Sequence, residues 1–253
     1  MRHIIPVDYS AFPPDAFKGQ VLVGPGTDTG IDSCKIICSR VPPGGKGPDL
    51  HTHPVDQYYY IISGTMNFQM GDEKFVLGPR TLVSIPAGTP HCNWNESKEA
   101  EVHLEVFVGP PAPNSLQKVQ PRKVPGAAKQ IRTLDANGWK PLVKWRTQQL
   151  AKRSMGDSGV ARIYEAETEI GGGGPSMHFH SFDQFYFVLE GSLSVQIGMK
   201  KMVAGPNSLV VLPAGILHTN INEGPTPGRH IAILVPEPLG DAPADFRVEL
   251  VKH

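Results

Sequence analysis

Cysteine is scarce in this chain. Its 253 residues include three, Cys34, Cys38 and Cys92, and no Cys-x2-Cys pair among them. An odd, scattered set argues against a disulfide framework or a thiolate metal site and fits reduced thiols in a cytoplasmic protein. Excess charge of either sign is also lacking: Lys+Arg and Asp+Glu stand at 24 each. No net field therefore steers the chain toward nucleic acid or a membrane surface. No apolar run approaches the ~20 residues of a membrane span. The opening Met1-Arg2-His3-Ile4-Ile5-Pro6 has no signal-peptide core. Residues 171–174 are glycines, but no Gly-Lys-Ser/Thr follows them, which excludes a phosphate loop. The expectation is a cytoplasmic protein acting on a small molecule, without nucleic-acid or membrane partners, with a homo-oligomer left open.

Long helical periodicity is lacking as well. Residues 141–155 are the one stretch that reads as a short helix. What the chain has in quantity is glycine (27) and proline (25), beside a hydrophobic fraction of 40%. That hydrophobic content argues against disorder, so the Gly/Pro excess indicates tight turns between short strands. Segments 57–63, 65–70, 74–77, 81–85 and 102–108 are β-rich and bounded by turn signals. Such a series predicts an antiparallel all-β sandwich or barrel.

The chain repeats itself at an offset of 127 residues. Residues 45–95 align without a gap on 172–222, with roughly 23 of 51 positions identical. Ile4 and Asp8 match Ile131 and Asp135, and His103-Leu104 matches His230-Ile231. Twice the offset nearly equals the chain length, so the whole protein reads as a tandem duplication. The expected division is an N-terminal barrel over 1–115, a proline-rich linker over 116–130, and a C-terminal barrel over 131–253.

Within each copy the repeat keeps His-x-His-x3-Gln and a distant histidine: His51, His53, Gln57 and His91, then His178, His180, Gln184 and His218. On a strand, positions i, i+2 and i+6 share one face. Four donors converging inside a barrel suit a divalent metal, because burying them without a partner costs several kcal/mol. The turns Pro86-x-Gly88 and Pro213-x-Gly215 would aim the last histidine inward. The same parity places Tyr59 and Tyr186 on the inner face, as groups that hydrogen-bond a bound substrate or as core aromatics. It places Tyr58, Tyr60 and Ile62, and likewise Phe185, Phe187 and Leu189, on an outer row. That row is covered by the other barrel, by a second chain, or by the domain's own N-terminal strands. His103 and His230 are either acid–base groups near the metal or strand histidines of the outer face. Cys92 follows His91 and so points away from the metal.

These residues resemble the cupin superfamily. Its first motif, G-x5-H-x-H-x3,4-E-x6-G, is matched by Gly45 to Gly64 and by Gly172 to Gly191, with Gln57 and Gln184 in the glutamate position. Its second motif is matched by Gly78 to Asn95 and by Gly205 to Asn222. The resemblance implies two double-stranded β-barrels, each holding one divalent ion (Fe, Ni, Mn, Cu or Zn). It is similar in particular to two-barrel dioxygenases of the flavonol-cleaving type, although the glutamate that those enzymes use as a base is missing from the motif. Gln is either a neutral ligand through its amide oxygen or a hydrogen-bond donor behind three histidines. A neutral shell leaves the full charge on the ion and favours an anionic oxygen donor such as an enolate, carboxylate or phenolate. The functional expectation is a dioxygenase acting on a small enolic or phenolic compound. The alternatives are a non-redox metal-dependent isomerase, lyase or decarboxylase, and a small-molecule binding protein.

Overall fold

The computed structural model describes residues 1–109, 116–238 and 245–249. Short runs rich in Val, Ile, Tyr, Phe and Thr form antiparallel strands, as their alternation requires. The helical turns among the described residues are single 3-10 turns. Two compact units result, one of residues 8–27 with 31–134 and one of residues 1–7, 28–30 and 135–253.

The unit of the N-terminal copy contains two sheets. The six-stranded sheet runs in the order Ile131–Thr133, Thr81–Ile85, Asp56–Ser63, Glu101–Val108, Cys34–Val41, Lys18–Val23. The five-stranded sheet runs Gln117–Lys118, His51–Thr52, His91–Trp94, Met66–Met70, Glu73–Leu77. Their inner faces meet in one core: Tyr59, Ile61 and Val83 from the first, Met66, Phe68 and Met70 from the second. The unit of the C-terminal copy repeats this plan. Its core joins Tyr186, Val188 and Val210 with Leu193, Val195 and Ile197. Gly64 and Gly191 turn the chain after the central strand at φ 76° and 69°. A Cβ there would run into the carbonyl of Ala100 or Pro227, so glycine is required for more than one reason.

Three local features depart from the sequence expectations. Residues 141–155 form no helix: Lys140–Leu142 and Trp145–Ala151 are paired strands, followed by a 3-10 turn at Arg153–Met155. Pairing of Trp145–Ala151 with Arg162–Thr168 overrides the weak local preference. The stretch drawn as a linker, 116–130, follows residues 110–115, which lie outside the described residues. Beyond them Gln117–Lys118 pairs with His51–Thr52, and Ala127 is fully buried in the core of the N-terminal unit. The two copies of the repeat also exchange their first strands, each of which falls within the unit built mainly by the other copy. Ile4 pairs with Val210, and Ile131 pairs with Val83, so each copy's first strand completes the other copy's sheet. The row expected to face outward is buried within the single chain: Tyr58 2%, Tyr60 3%, Phe185 0% and Phe187 0% exposed.

Candidate metal centres

Each centre is assembled from both sheets. His51 and His91 are cross-strand partners in the five-stranded sheet of one unit, and His178 and His218 in the other. The first strand is only two residues long, so His53 and His180 lie just past its end. Backbone bonds hold them there instead: Gly88 N–H donates to the His53 carbonyl at 2.7 Å, and Gly215 N–H to that of His180 at 2.8 Å. The same Pro-Ala-Gly turn is tied down by Asp56, which accepts from Ala87 N–H, and by Asp183, which accepts from Ala214 N–H, each at 2.8 Å. Gly88 and Gly215 adopt φ 74° and 77°, the left-handed conformation that sends His91 and His218 inward. Gln57 and Gln184 come from the central strand of the larger sheet.

The ligand nitrogens of His51, His53 and His91 lie within 4.8 Å of one another, as do those of His178, His180 and His218, and all six residues are grouped in buried surroundings. Carbonyls fix the tautomers. Nδ1 of His51 donates to Asp49, that of His91 to Thr89, that of His178 to Ser176, that of His180 to Phe182 and that of His218 to Ile216, all at 2.8–2.9 Å. Each leaves a bare Nε2 facing the cluster, the arrangement that orients a histidine for metal. Among the described residues His91 Nε2, His218 Nε2 and Gln57 Oε1 are buried and accept no hydrogen bond, and His51 Nε2 meets His53 Nε2 at 3.0 Å. In the second unit His180 Nε2 meets Gln184 Oε1 at 2.7 Å, two acceptors that need a cation or a proton between them. Burial pulls His53 down to about 4 and His91 and His218 to about 3. They are thus neutral imidazoles at pH 7, the form that a metal ion requires of a ligand. On these observations the donor set fits a divalent ion in both units.

The other residues singled out from the sequence also gather here. Tyr59 and Tyr186 are buried cavity-lining residues, their hydroxyls held protonated by burial. Tyr186 donates to Asn220 Oδ1 at 3.4 Å. His103 and His230 lie inside rather than on the outer face, 1% and 5% exposed, with their rings 4.8 and 4.9 Å from Tyr59 and Tyr186. Their environments differ. His103 sits between two carboxylates, with Nδ1 2.9 Å from Glu101 Oε2 and Nε2 3.5 Å from Glu105 Oε1. Burial alone would lower it, but the charge of Glu101 and its hydrogen bond prevail and raise it to about 10. His230 has no such partner, and burial pulls it down to about 4.

Glu105 is the residue that the motif reading missed. It accepts from Gln57 Nε2 at 3.1 Å and from the Ser39 hydroxyl. It lines a cavity of about 330 Å³ together with His51, His53, Gln57 and Tyr59. Burial opposes its ionisation, yet the hydrogen bond and charge of His103, with Ser39, hold its carboxyl below the ordinary value. A carboxylate absent from the motif is thus supplied by another strand. The signal was present as alternation: Glu101, His103, Glu105 and Phe107 share one face of an otherwise apolar strand. In the second unit the corresponding residues are Gly228, His230, Ala232 and Leu234, and Tyr164 lines the cavity, of about 230 Å³, instead.

Comparison with known proteins agrees with this architecture. A curated relative, the dimethylsulfoniopropionate lyase DddQ of Ruegeria pomeroyi, is 35% identical over 78 residues, a segment covering 30% of this chain and 38% of the lyase. Oxalate decarboxylase of Bacillus subtilis superposes with a TM-score of 0.72 at 14% identity, over 94% of this chain and 78% of that one. A cupin 2 conserved barrel domain protein from Leptotrichia buccalis does so with a TM-score of 0.61 at 13% identity, over 93% and 98%. At such identities the structural likeness is one of fold. The cupin domain model matches residues 38–108 and 165–234, just over half of the sequence, and the chain therefore belongs to the cupin family, with two such domains in tandem.

Proposed function

We propose that this protein is a metal-dependent enzyme that takes a proton from a small oxygen-chelating compound in the N-terminal cavity, in a non-redox lyase, decarboxylase or isomerase reaction. The observation that carries this reading is the Gln57–Glu105 pair. Gln57 donates from its amide nitrogen to Glu105, while its oxygen is buried without a hydrogen-bond partner on a side chain that lines the same cavity as His51 and His53. One side chain thus links the ligand cluster to a buried anionic carboxylate. A divalent ion held by His51, His53, His91 and Gln57 would act as a Lewis acid, acidifying a proton next to the bound oxygen. Glu105 then accepts that proton, and His103 and Ser39 stabilise and orient its carboxylate. Phe107, Phe17 and Leu116 give the cavity an apolar wall against which the carbon skeleton of a bound compound would pack. The relatives include a lyase and a decarboxylase by name, which supports the non-redox class.

A dioxygenase acting on an enolic or phenolic compound is the second reading. The neutral His3-Gln donor set and the apolar wall favour it. Oxygen dependence separates the two. Protein loaded with Zn(II) or Fe(II) is incubated under argon in deuterated buffer with enolisable carboxylates and β-dicarbonyls, and exchange or product is followed by NMR. The non-redox reading expects turnover without oxygen and with either metal. Turnover only with Fe(II) and oxygen would replace it with the second.

A further inference from the structure

The two clusters carry the same four neutral donors, yet negative charge stands in different places around them. In the N-terminal unit it is on Glu105, behind Gln57. In the C-terminal unit that floor position is Ala232, and a carboxylate enters the cavity from the opposite side, on Asp245. We propose that Asp245 is a ligand of the C-terminal metal centre, delivered by the strand that closes over His178; this rests on reading His178, His180, Gln184 and His218 as that centre.

The geometry is specific. Asp245 Oδ1 lies 3.8 Å from His178 Nε2, the nitrogen left bare by the Nδ1 bond to Ser176. Two atoms each bonded to one ion at about 2.1 Å can stand at most about 4.2 Å apart, so the 3.8 Å separation is one that a single ion could bridge. The backbone beside Asp245 is fixed by three interactions. Arg247 pairs with His178 and Phe246 with Phe179 in an antiparallel ladder. Val248 N–H donates to the Met177 carbonyl at 2.9 Å. The Phe246 ring stacks on Phe179 at 5.3 Å. Strand alternation sends Phe246 to that outer stack and its neighbour Asp245 inward.

The N-terminal unit provides the internal contrast. Its closing strand pairs Lys118 with His51 and Gln117 with Thr52. The residue in the place of Asp245 is Leu116, which lines that cavity. One centre therefore has a carboxylate ligand and a partly neutralised ion; the other keeps a neutral shell and has its carboxylate free as a base. The C-terminal centre is the tighter holder of metal, and the N-terminal centre the more electrophilic.

The test uses full-length single-centre proteins titrated with Co(II), followed by calorimetry and visible absorption. In a His51→Ala/His91→Ala background, Asp245→Asn is expected to weaken Co(II) binding by about tenfold or more and to alter the absorption bands. In a His178→Ala/His218→Ala background, Leu116→Asp is expected to tighten binding at the N-terminal centre. Unchanged affinity and bands in Asp245→Asn overturn the proposal if His178→Ala abolishes binding in the first background. If His178→Ala also leaves binding intact, the centre itself is misassigned. A Leu116→Asp protein that binds no more tightly counts against delivery of a ligand from this strand.

Discussion

A single glutamine decides how each centre handles charge. As a ligand Gln57 would contribute an oxygen without a charge, and its N–H donates to Glu105, which on the proposed reading leaves that carboxylate outside the ligand set. Glu105→Gln is expected to keep a full complement of metal while lowering proton transfer by roughly 10²–10⁴-fold; loss of metal together with activity would make Glu105 a structural residue. His51→Ala and His178→Ala are each expected to remove up to one equivalent of metal per chain by elemental analysis. The buried histidines also set a pH signature for the metal-free protein. His103 is raised to about 10 in the fold, so the stability it contributes is complete below about 6.5 and lost as pH rises toward 10. His91, His218 and His230, lowered to about 3–4, act in the other direction: they destabilise the fold as pH falls below about 6.5. Urea unfolding across pH 4–10 should show both flanks, and His103→Gln should flatten only the alkaline one. Glu105 and Asp245 were illegible in the motif because a strand's alternation identifies a shared face but not what that face meets across the barrel.

Among the elements, the short ones do most of the positioning. The strand His51–Thr52 is too brief to aim His53 by pleat alone, and the task passes to the Pro-Ala-Gly turn that grips it. Asp56 anchors that turn. Asp56→Ala is expected to cost about 0.5–1.5 kcal/mol of stability and to weaken metal binding at the N-terminal centre only, measurable by denaturation and by Co(II) titration of both single-centre proteins. The central strands and their inward rows could be read from alternation and turn residues, and Thr81–Ile85 falls where the sequence places it. Residues 141–155 could not, because Trp145–Ala151 owes its form to pairing with Lys140–Leu142 and Arg162–Thr168 on either side, which no local signal within the stretch encodes.

For the whole molecule, duplication and exchange act together. Ile4–Pro6 and Ile131–Thr133 are equivalent in the repeat, and each completes a sheet built by the other copy. Ile5 is 7% exposed against that sheet. Ile5→Ala is expected to destabilise the C-terminal unit by about 2–4 kcal/mol while leaving Co(II) affinity at the N-terminal centre unchanged, as read by urea unfolding beside metal titration. No helix among the described residues is long and apolar enough to cross a membrane.

The order of residues by itself determined the duplication, the all-β class, the family and the eight metal-ligand candidates, because each depends on spacing along one strand or on the match between the two halves. Tertiary structure alone decided which edge strand completes which sheet and that His103 is flanked by Glu101 and Glu105. It also decided which carboxylate faces each cluster. Those are relations between strands distant in sequence, and electrostatic contacts of a few ångströms depend on the register in which the strands pair, which composition and periodicity do not encode.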